Sequence, residues 1–293
     1  MSAIDLGDVT YEVVEVGEGP RVVLLHGFTG SSSDWAPLAD ALAPTHGTVR
    51  VDLLGHGRTS RATDPARYAL ERQAADLARV VRHLEIWPAI LVGYSYGARI
   101  ALRLTIDHPA LVAGLALESP SAGIPDAEER AVRRAADEAL ATGLERHGID
   151  AFVERWMALP LFAGEARLPE GIRHEIERHR RANDPFALAA ALRGAGQGAM
   201  TQLHDRLAGI GIPTSILAGA NDATGLARAR IVAAGIPGAT LKVLEDVGQA
   251  PHREAPDRFA AWLAAWLDRI GSPSSPSGPS PAVVPPSQHR SAP

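Results

Sequence analysis

The stretch Gly93-Tyr94-Ser95-Tyr96-Gly97 decides the fold, because it places a serine between two glycines directly after the apolar run Ile90–Val92. A helical pattern, Ala98–Ile106, follows at once. In a tight strand-to-helix turn, small residues two positions to either side let the backbones approach closely and leave the serine hydroxyl exposed. The amino end of the following helix favours negative charge at that point. The sequence therefore predicts a nucleophile elbow with Ser95 at its tip.

The rest of the chain alternates short apolar runs with helical patterns. Strands are predicted at Val9–Val16, Arg21–His26, Val49–Leu53, Ile90–Gly93, Leu111–Glu118, Thr214–Leu217 and Ala239–Leu244. Apolar residues recur at helical spacing between them, at Leu70, Ala74, Leu77, Val81 and Leu84, and again at Phe259, Leu263, Trp266 and Ile270. Apolar strands separated by amphipathic helices are typical of a mostly parallel sheet with helices on both faces, so we expect an α/β fold.

Composition changes divide the chain into three regions. Residues 126–199 are rich in Arg and Ala, helical in pattern and without a convincing strand, so we expect a helical cap there. Residues 1–125 and 200–270 then form the α/β core. From Gly271 to residue 293 the chain is mostly Pro, Ser and Gly, and it has too few large apolar residues to offset its ordering entropy. We expect a disordered tail there.

Composition also excludes several classes of protein. The chain has no cysteine, which removes disulfide scaffolds, thiolate metal sites and a cysteine nucleophile. The formal net charge is -5 without a basic block, which argues against a nucleic-acid-binding protein. We see neither an apolar run long enough for a membrane span nor a secretory signal, and so expect no membrane association.

A second glycine-containing loop, His26-Gly27-Phe28-Thr29-Gly30, follows the strand Arg21–His26. Its natural role beside an elbow is an oxyanion hole, in which the Phe28 amide joins the Tyr96 amide behind Ser95. The alternative is a plain glycine-rich loop between a strand and a helix. His56 lies between two glycines, and we interpret it as a turn residue with a satisfied side chain.

The order of these motifs resembles the α/β-hydrolase fold over residues 5–270. Finer detail resembles the 2-succinyl-6-hydroxy-2,4-cyclohexadiene-1-carboxylate synthases of menaquinone biosynthesis. The matching stretches are residues 92–99, 117–120, 127–134, Trp156 to Phe162, 192–198 and 252–254. The resemblance implies a lyase that eliminates pyruvate from a ring with several carboxylates, using a Ser-His-Asp triad to abstract a proton. It also implies a cytoplasmic enzyme with a small polycarboxylate substrate and without metal or cofactor.

The resemblance assigns roles to individual residues. Ser95 matches the catalytic serine and Asp222 the catalytic acid, although Asp222 also suits a helix N-cap. Substrate-binding roles fall on Arg99, Arg133, Arg180, Tyr94 and Trp156. Each arginine of the cap, taken alone, is more often part of a solvated helix face. Among Arg99, Arg133 and Arg180, the role of carboxylate ligand is best supported for Arg99. It lies one turn past the serine, where its guanidinium group can bind a carboxylate bidentately.

One position departs from the family pattern. Where the family has its catalytic histidine, the chain has Gln249, which can hydrogen-bond Ser95 but cannot take its proton near neutral pH. His252 lies three residues further on and is the alternative third member. Three hypotheses stay open: pyruvate elimination persists, the site performs another lyase or esterase reaction, or the cavity only binds a carboxylated small molecule.

Overall fold

The computed structural model describes residues 1–271, so the predicted tail, apart from Gly271, lies outside the described residues. Eight strands form one sheet in the order β1-β2-β4-β3-β5-β6-β7-β8. They are β1 Ser2–Asp5, β2 Thr10–Val16, β3 Arg21–Leu25, β4 Gly47–Val51, β5 Ala89–Tyr94, β6 Val112–Glu118, β7 Thr214–Gly219 and β8 Thr240–Leu244. The seven predicted strands are therefore present with small shifts at their ends. The first strand, β1, was not predicted.

Strand β1 is a short edge strand that pairs antiparallel with β2. Only Ile4 of its four residues is buried, so its sequence has neither an apolar run nor a clear alternation. Strand β2 is antiparallel to β4, and the pairs from β4 onward are parallel. The mostly parallel sheet is thus confirmed.

The strand order places two loops side by side. From β3 the chain crosses to β4 on one side and returns to β5 on the other, with Leu25 opposite Gly93 in the parallel register. The loops that follow β3 and β5 therefore meet at the carboxyl edge of the sheet, the position where open α/β sheets bind ligands.

Helices cover both faces of the sheet. They are α1 Ala36–Leu42, α2 Leu70–His83, α3 Tyr96–Asp107, α4 Ala127–Met157, α5 Glu170–Arg181, α6 Pro185–Ala195, α7 Ala223–Gly235, α8 Pro251–Glu254 and α9 Pro256–Ile270. Apolar residues of α2, α3 and α7 pack on one face, and those of α1 and α9 on the other. Every residue of β5 is buried, as expected for a strand covered on both sides.

The chain between β6 and β7 contains helices α4, α5 and α6 and no strand. Helix α4 is interrupted at Gly148, whose φ of 75° is left-handed, and its second half packs Phe152 against Leu188 of α6. We refer to residues 126–199 as the cap. Asn183 ties the cap to the core: its Nδ2 donates to the Thr29 carbonyl and its Oδ1 accepts from the Gly57 amide. No helix of the described residues is both long and apolar enough to span a bilayer.

Candidate active site

Ser95 lies between β5 and α3 in a strained conformation, with φ of 47° and ψ of −98°. Two glycines permit this turn. A Cβ atom at Gly93 would lie 2.7 Å from the Cα atom of Ala98, and one at Gly97 would collide with the Leu25 carbonyl oxygen. Positive φ in a residue other than glycine persists only where the surrounding structure enforces it. The geometry is that of a nucleophile elbow, with the serine side chain at the carboxyl edge of the sheet.

The loop after β3 is held against the elbow by His26. Its Nε2 accepts a hydrogen bond from the Leu53 amide over 3.0 Å, which leaves the proton on Nδ1 to donate to the Gly27 carbonyl over 2.8 Å. The carbonyl of His26 also accepts from the Gly97 amide. Burial lowers the pKa of His26, which favours the neutral ring that these two hydrogen bonds require. His26 therefore fixes the loop in place.

The Phe28 and Tyr96 residues line the same cavity as Ser95. The Tyr96 amide belongs to the first turn of α3, where N–H groups have no acceptor within the helix. The tyrosine side chain is anchored behind the site, because its hydroxyl accepts a hydrogen bond from Nε2 of Gln73 over 2.6 Å. The two amides thus remain candidates for an oxyanion hole.

Gln249 lies beside the serine. Its Nε2 atom donates to the Oγ atom of Ser95 over 3.4 Å, and both residues line the cavity. Asp222 lines the cavity as well and caps α7, where its Oδ1 accepts from the Gly225 amide over 2.9 Å. The structure therefore brings Ser95, Gln249 and Asp222 into one cavity.

His252 is held elsewhere. Its Nδ1 is 2.8 Å from Oε1 of the fully buried Glu118, and its ring packs between Trp35 and Tyr94, with centroids 4.7 and 4.6 Å away. It lines a separate cavity against α1 and α9, not the one that contains Ser95. The structure thus places Gln249, and not His252, next to the serine.

The cavity around Ser95 has a volume of about 540 Å³ and is lined by more arginines than carboxylates. Among the described residues that line it, Asp222 is the sole carboxylate, and no histidine is present. The arginines are Arg99, Arg133, Arg167, Arg180, Arg228 and Arg253. Tyr94 and Trp156 contribute aromatic surface, and the Trp156 Nε1 is a buried donor without a described partner. Such a site favours an anionic ring compound.

Two of the predicted carboxylate ligands differ in their partners. Arg99 is 6% exposed, donates to the Ala195 carbonyl and lies 5.1 Å from the Tyr96 ring, without an ion pair among the described residues. Burial lowers the pKa of Arg99 to about 10, and the charge of Arg133 adds to this effect. Arg133 itself pairs with Asp137, its Nε lying 2.8 Å from Oδ1.

Arg180, the third predicted carboxylate ligand, already has a carboxylate partner within the protein. It is buried, and Glu165 pairs with both of its terminal nitrogens, at 2.9 and 3.0 Å. Arg253 of α8 bonds the same carboxylate over 2.8 Å and also pairs with Asp34 over 2.8 Å. Burial alone would raise the pKa of Glu165, but the two arginines hold it below its usual value. This four-residue network is electrically neutral and joins the cap to the core.

Arg167, Arg228 and Arg253 line the site but were not among the predicted residues. Arg228 has no acidic residue three or four positions away on α7 that could neutralise it, and this is a signal visible in the sequence. Arg230 likewise has no acidic residue at that spacing, however, so the sequence does not distinguish the two arginines. Only the orientation of α7 in the folded protein shows that Arg228 lines the cavity and Arg230 does not. Arg253 belongs to a matching motif, but its role in the network depends on tertiary contacts.

His56 was predicted to be a turn residue with a satisfied side chain, but only one of its two ring nitrogens has a hydrogen-bond partner among the described residues. Its Nδ1 bonds the Leu54 carbonyl over 3.1 Å, but its Nε2 is buried without a described partner. Its ring packs against those of His26, Phe28 and Tyr96, behind the loop that follows β3. Burial is the larger cause and the charge of the nearby His26 the second, and together they lower the pKa of His56 to about 3. Within residues 1–271, His, Asp and Glu side chains form no cluster of three suited to a metal ion.

Comparison with known proteins adds to this geometry. Residues 20–256 match the family model described as alpha/beta hydrolase fold. A Bacillus subtilis (strain 168) protein, provisionally named 2-succinyl-6-hydroxy-2,4-cyclohexadiene-1-carboxylate synthase, is 35% identical over 89% of this chain and 96% of its own length. A Klebsiella pneumoniae protein named 2-succinyl-6-hydroxy-2,4-cyclohexadiene-1-carboxylate synthase is 30% identical over 91% of this chain and 98% of its own length.

Solved structures agree with the sequence relatives. The structure of MenH from S. aureus superposes with a TM-score of 0.85 at 32% identity, covering 89% of this chain and 98% of that one. An esterase from Thermogutta terrifontis superposes with a TM-score of 0.81 over 92% of this chain and 99% of its own. At 24% identity, the esterase shows only that the fold is shared.

Proposed function

Because the chain belongs to the α/β-hydrolase fold family and, within it, to the 2-succinyl-6-hydroxy-2,4-cyclohexadiene-1-carboxylate synthase family, we propose that it eliminates pyruvate from 2-succinyl-5-enolpyruvyl-6-hydroxy-3-cyclohexene-1-carboxylate. The observation that carries the proposal is the charge of the cavity around Ser95, whose lining has six arginines and one carboxylate and in which three of the arginines have no ion pair among the described residues. The proposed substrate carries three carboxylates on one ring system, and guanidinium groups bind carboxylates well.

The elimination begins at the ring carbon next to the succinyl ketone. Loss of its proton sends the bonding pair into a new ring double bond, the existing double bond shifts, and the bond to the enolpyruvyl oxygen breaks. The released enolpyruvate takes up a proton at carbon to become pyruvate. Negative charge develops on the ketone oxygen, where the Phe28 and Tyr96 amides would stabilise it.

Gln249 determines how Ser95 can take part. In a complete triad, the serine proton points to the histidine that removes it. An amide that donates to Oγ leaves the hydroxyl proton free to point at the substrate. We propose that Ser95 relays the proton: Oγ accepts the ring proton as the hydroxyl proton passes to the departing enolpyruvyl group. This step needs no free base, so it tolerates Gln249.

The same contact argues against an esterase. Ester hydrolysis through an acyl-enzyme needs a base to activate the serine and then a water molecule. No histidine or cysteine is among the described residues that line the cavity. Binding without catalysis remains the second alternative, and it is separated from the proposal by experiment.

The experiment measures pyruvate release from the enolpyruvyl precursor, alongside hydrolysis of a p-nitrophenyl ester. We expect pyruvate release that the Ser95→Ala variant loses by at least a hundredfold, whereas the exposed control Ser33→Ala retains it. Ester turnover without pyruvate would overturn the proposal in favour of a hydrolase. Tight binding of the precursor without any turnover would favour a binding protein.

A further inference from the structure

The six arginines of the cavity fall into two groups. Three are in ion pairs: Arg133 with Asp137, Arg180 with Glu165, and Arg253 with Glu165 and Asp34. The other three, Arg99, Arg167 and Arg228, have no carboxylate within ion-pair distance among residues 1–271. Arg167 is exposed at the rim and donates to the Asp246 carbonyl. Arg99 and Arg228 are the unpaired arginines that are at least partly buried.

Arg228 stands on the second turn of α7, the helix capped by Asp222. It is half-buried, and no hydrogen bond joins its guanidinium group to another described residue. Burial lowers its pKa and the charge of Arg133 adds to the shift, whereas the charges of Asp222 and Glu129 oppose it. Arg99, Arg133 and Arg228 line the same cavity, and the charges of Arg133 and Arg228 both lower the pKa of Arg99.

An unpaired, partly desolvated positive charge lowers stability unless a partner compensates it. The protein holds two such charges, on Arg99 and Arg228, in the wall of one cavity. Two carboxylates of a bound ring would neutralise both. Arg180 cannot supply either charge without leaving Glu165.

We propose that Arg228 is a carboxylate ligand that acts with Arg99, so that the site selects ring compounds with two carboxylates over those with one. This inference rests on the proposed function, since it names the substrate groups that the same cavity binds. It assigns the second carboxylate to Arg228 of α7 in place of Arg180 of the cap.

The test uses unreactive probes, so that it does not depend on catalysis. Calorimetry compares benzoate, phthalate and benzene-1,2,4-tricarboxylate binding to the wild-type protein and to Arg228→Gln, Arg228→Lys and Arg230→Gln. Arg230 is the matched control, because it is exposed on the same helix and does not line the cavity. Thermal denaturation verifies that each variant is folded.

We expect phthalate to bind the wild-type protein more tightly than benzoate. The Arg228→Gln change should weaken phthalate binding about tenfold or more, as expected for one charge-assisted contact, and benzoate binding about threefold or less. Arg228→Lys should recover part of the loss, and Arg230→Gln should bind as the wild type does. In the pyruvate assay, Arg228→Gln should raise KM more than it lowers kcat.

Equal phthalate affinity in the wild-type protein and the folded Arg228→Gln variant would overturn the inference. So would wild-type protein that prefers benzoate or binds none of the three probes. If the probes behave as expected but the precursor releases no pyruvate, the proposed function fails and the assignment of Arg228 stands. The two failures are therefore distinguishable.

Discussion

Gln249 donates a hydrogen bond from its Nε2 atom to the Oγ atom of Ser95, over 3.4 Å. The amide thus occupies the place from which an imidazole would remove the serine proton. An amide cannot accept that proton near neutral pH, so the contact disfavours formation of an acyl-enzyme. In the mechanism that we propose, Ser95 relays a proton to the departing group and needs no such acceptor.

Gln249→His should restore a general base. We expect hydrolysis of a p-nitrophenyl ester to rise by about a hundredfold or more, with a rate that increases with pH through about 6.5 as the imidazole loses its proton. Pyruvate release by the wild-type protein should instead vary little between about pH 6 and 8, because no histidine lines its cavity. Rate–pH profiles of both proteins are the measurement. An ester rate unchanged in the variant would show that the missing imidazole does not limit hydrolysis, and a wild-type pyruvate rate that titrates between about pH 6 and 8 would contradict the relay mechanism.

His252→Asn tests the alternative base. The ring is held by Glu118, Trp35 and Tyr94, so its loss should lower the free energy of unfolding by about 1–3 kcal/mol, because a buried carboxylate loses a partner. Pyruvate release by the folded protein should stay within about tenfold of the wild-type rate. A loss of three orders of magnitude with an unchanged melting temperature would make His252 the base.

Gly225→Ala should disturb the acid and the amide together. A Cβ atom there would collide with Oδ2 of Asp222 and lie 3.1 Å from Oε1 of Gln249. We expect a drop in kcat of about tenfold or more with a smaller change in stability, since the site tolerates little displacement. Gly171→Ala on α5 is the matched control, because its Cβ would meet no atom within 4 Å. Equal kcat values for the two variants would exclude a role for this close packing.

The free energy of unfolding should decrease at acidic pH, over a pH range set by the pKa values of the buried His26 and His56. The pKa of His56 is about 3 in the folded protein and that of His26 is also lowered, whereas an unfolded histidine has a pKa near 6.5. As pH falls below about 6.5, the unfolded state binds protons that the folded state does not, so the free energy of unfolding decreases down to about pH 3.

Denaturant titrations at several pH values measure this uptake. A His56→Asn variant should take up about one proton fewer on unfolding near pH 5. His174→Asn provides the control, because the side chain of His174 is 69% exposed. An identical pH slope in His56→Asn and the wild-type protein would show that His56 is not held neutral.

Local patterns were enough to predict the sheet and the elbow, because a buried parallel strand and an amphipathic helix each leave a periodic signature. The α/β-hydrolase fold is confirmed by both the sheet order and the family match. Strand β1 was not predicted because it lies at the edge of the sheet and buries only Ile4, so its sequence has no apolar run.

The sequence was enough to predict several of the residues that lie around the serine, but not the ion pairs that they form. Resemblance placed Ser95, Asp222 and Arg99 in one site, and the structure brings them into one cavity. The neutralisation of Arg180 was not predictable, since Glu165 meets it only after the cap folds back upon itself. Arg228 was missed because an arginine on a helix reveals its orientation only in the folded molecule.

The neutral network across the boundary of the cap has a consequence for protein engineering. Arg180 and Glu165 belong to the cap, whereas Arg253 and Asp34 belong to the core. A chimaera that takes the cap from a relative without Glu165 would keep the pair between Arg253 and Asp34 but lose the contact between Arg253 and Glu165, the ion pair that crosses the boundary. Domain exchange in this scaffold therefore requires a cap that presents a carboxylate to Arg253.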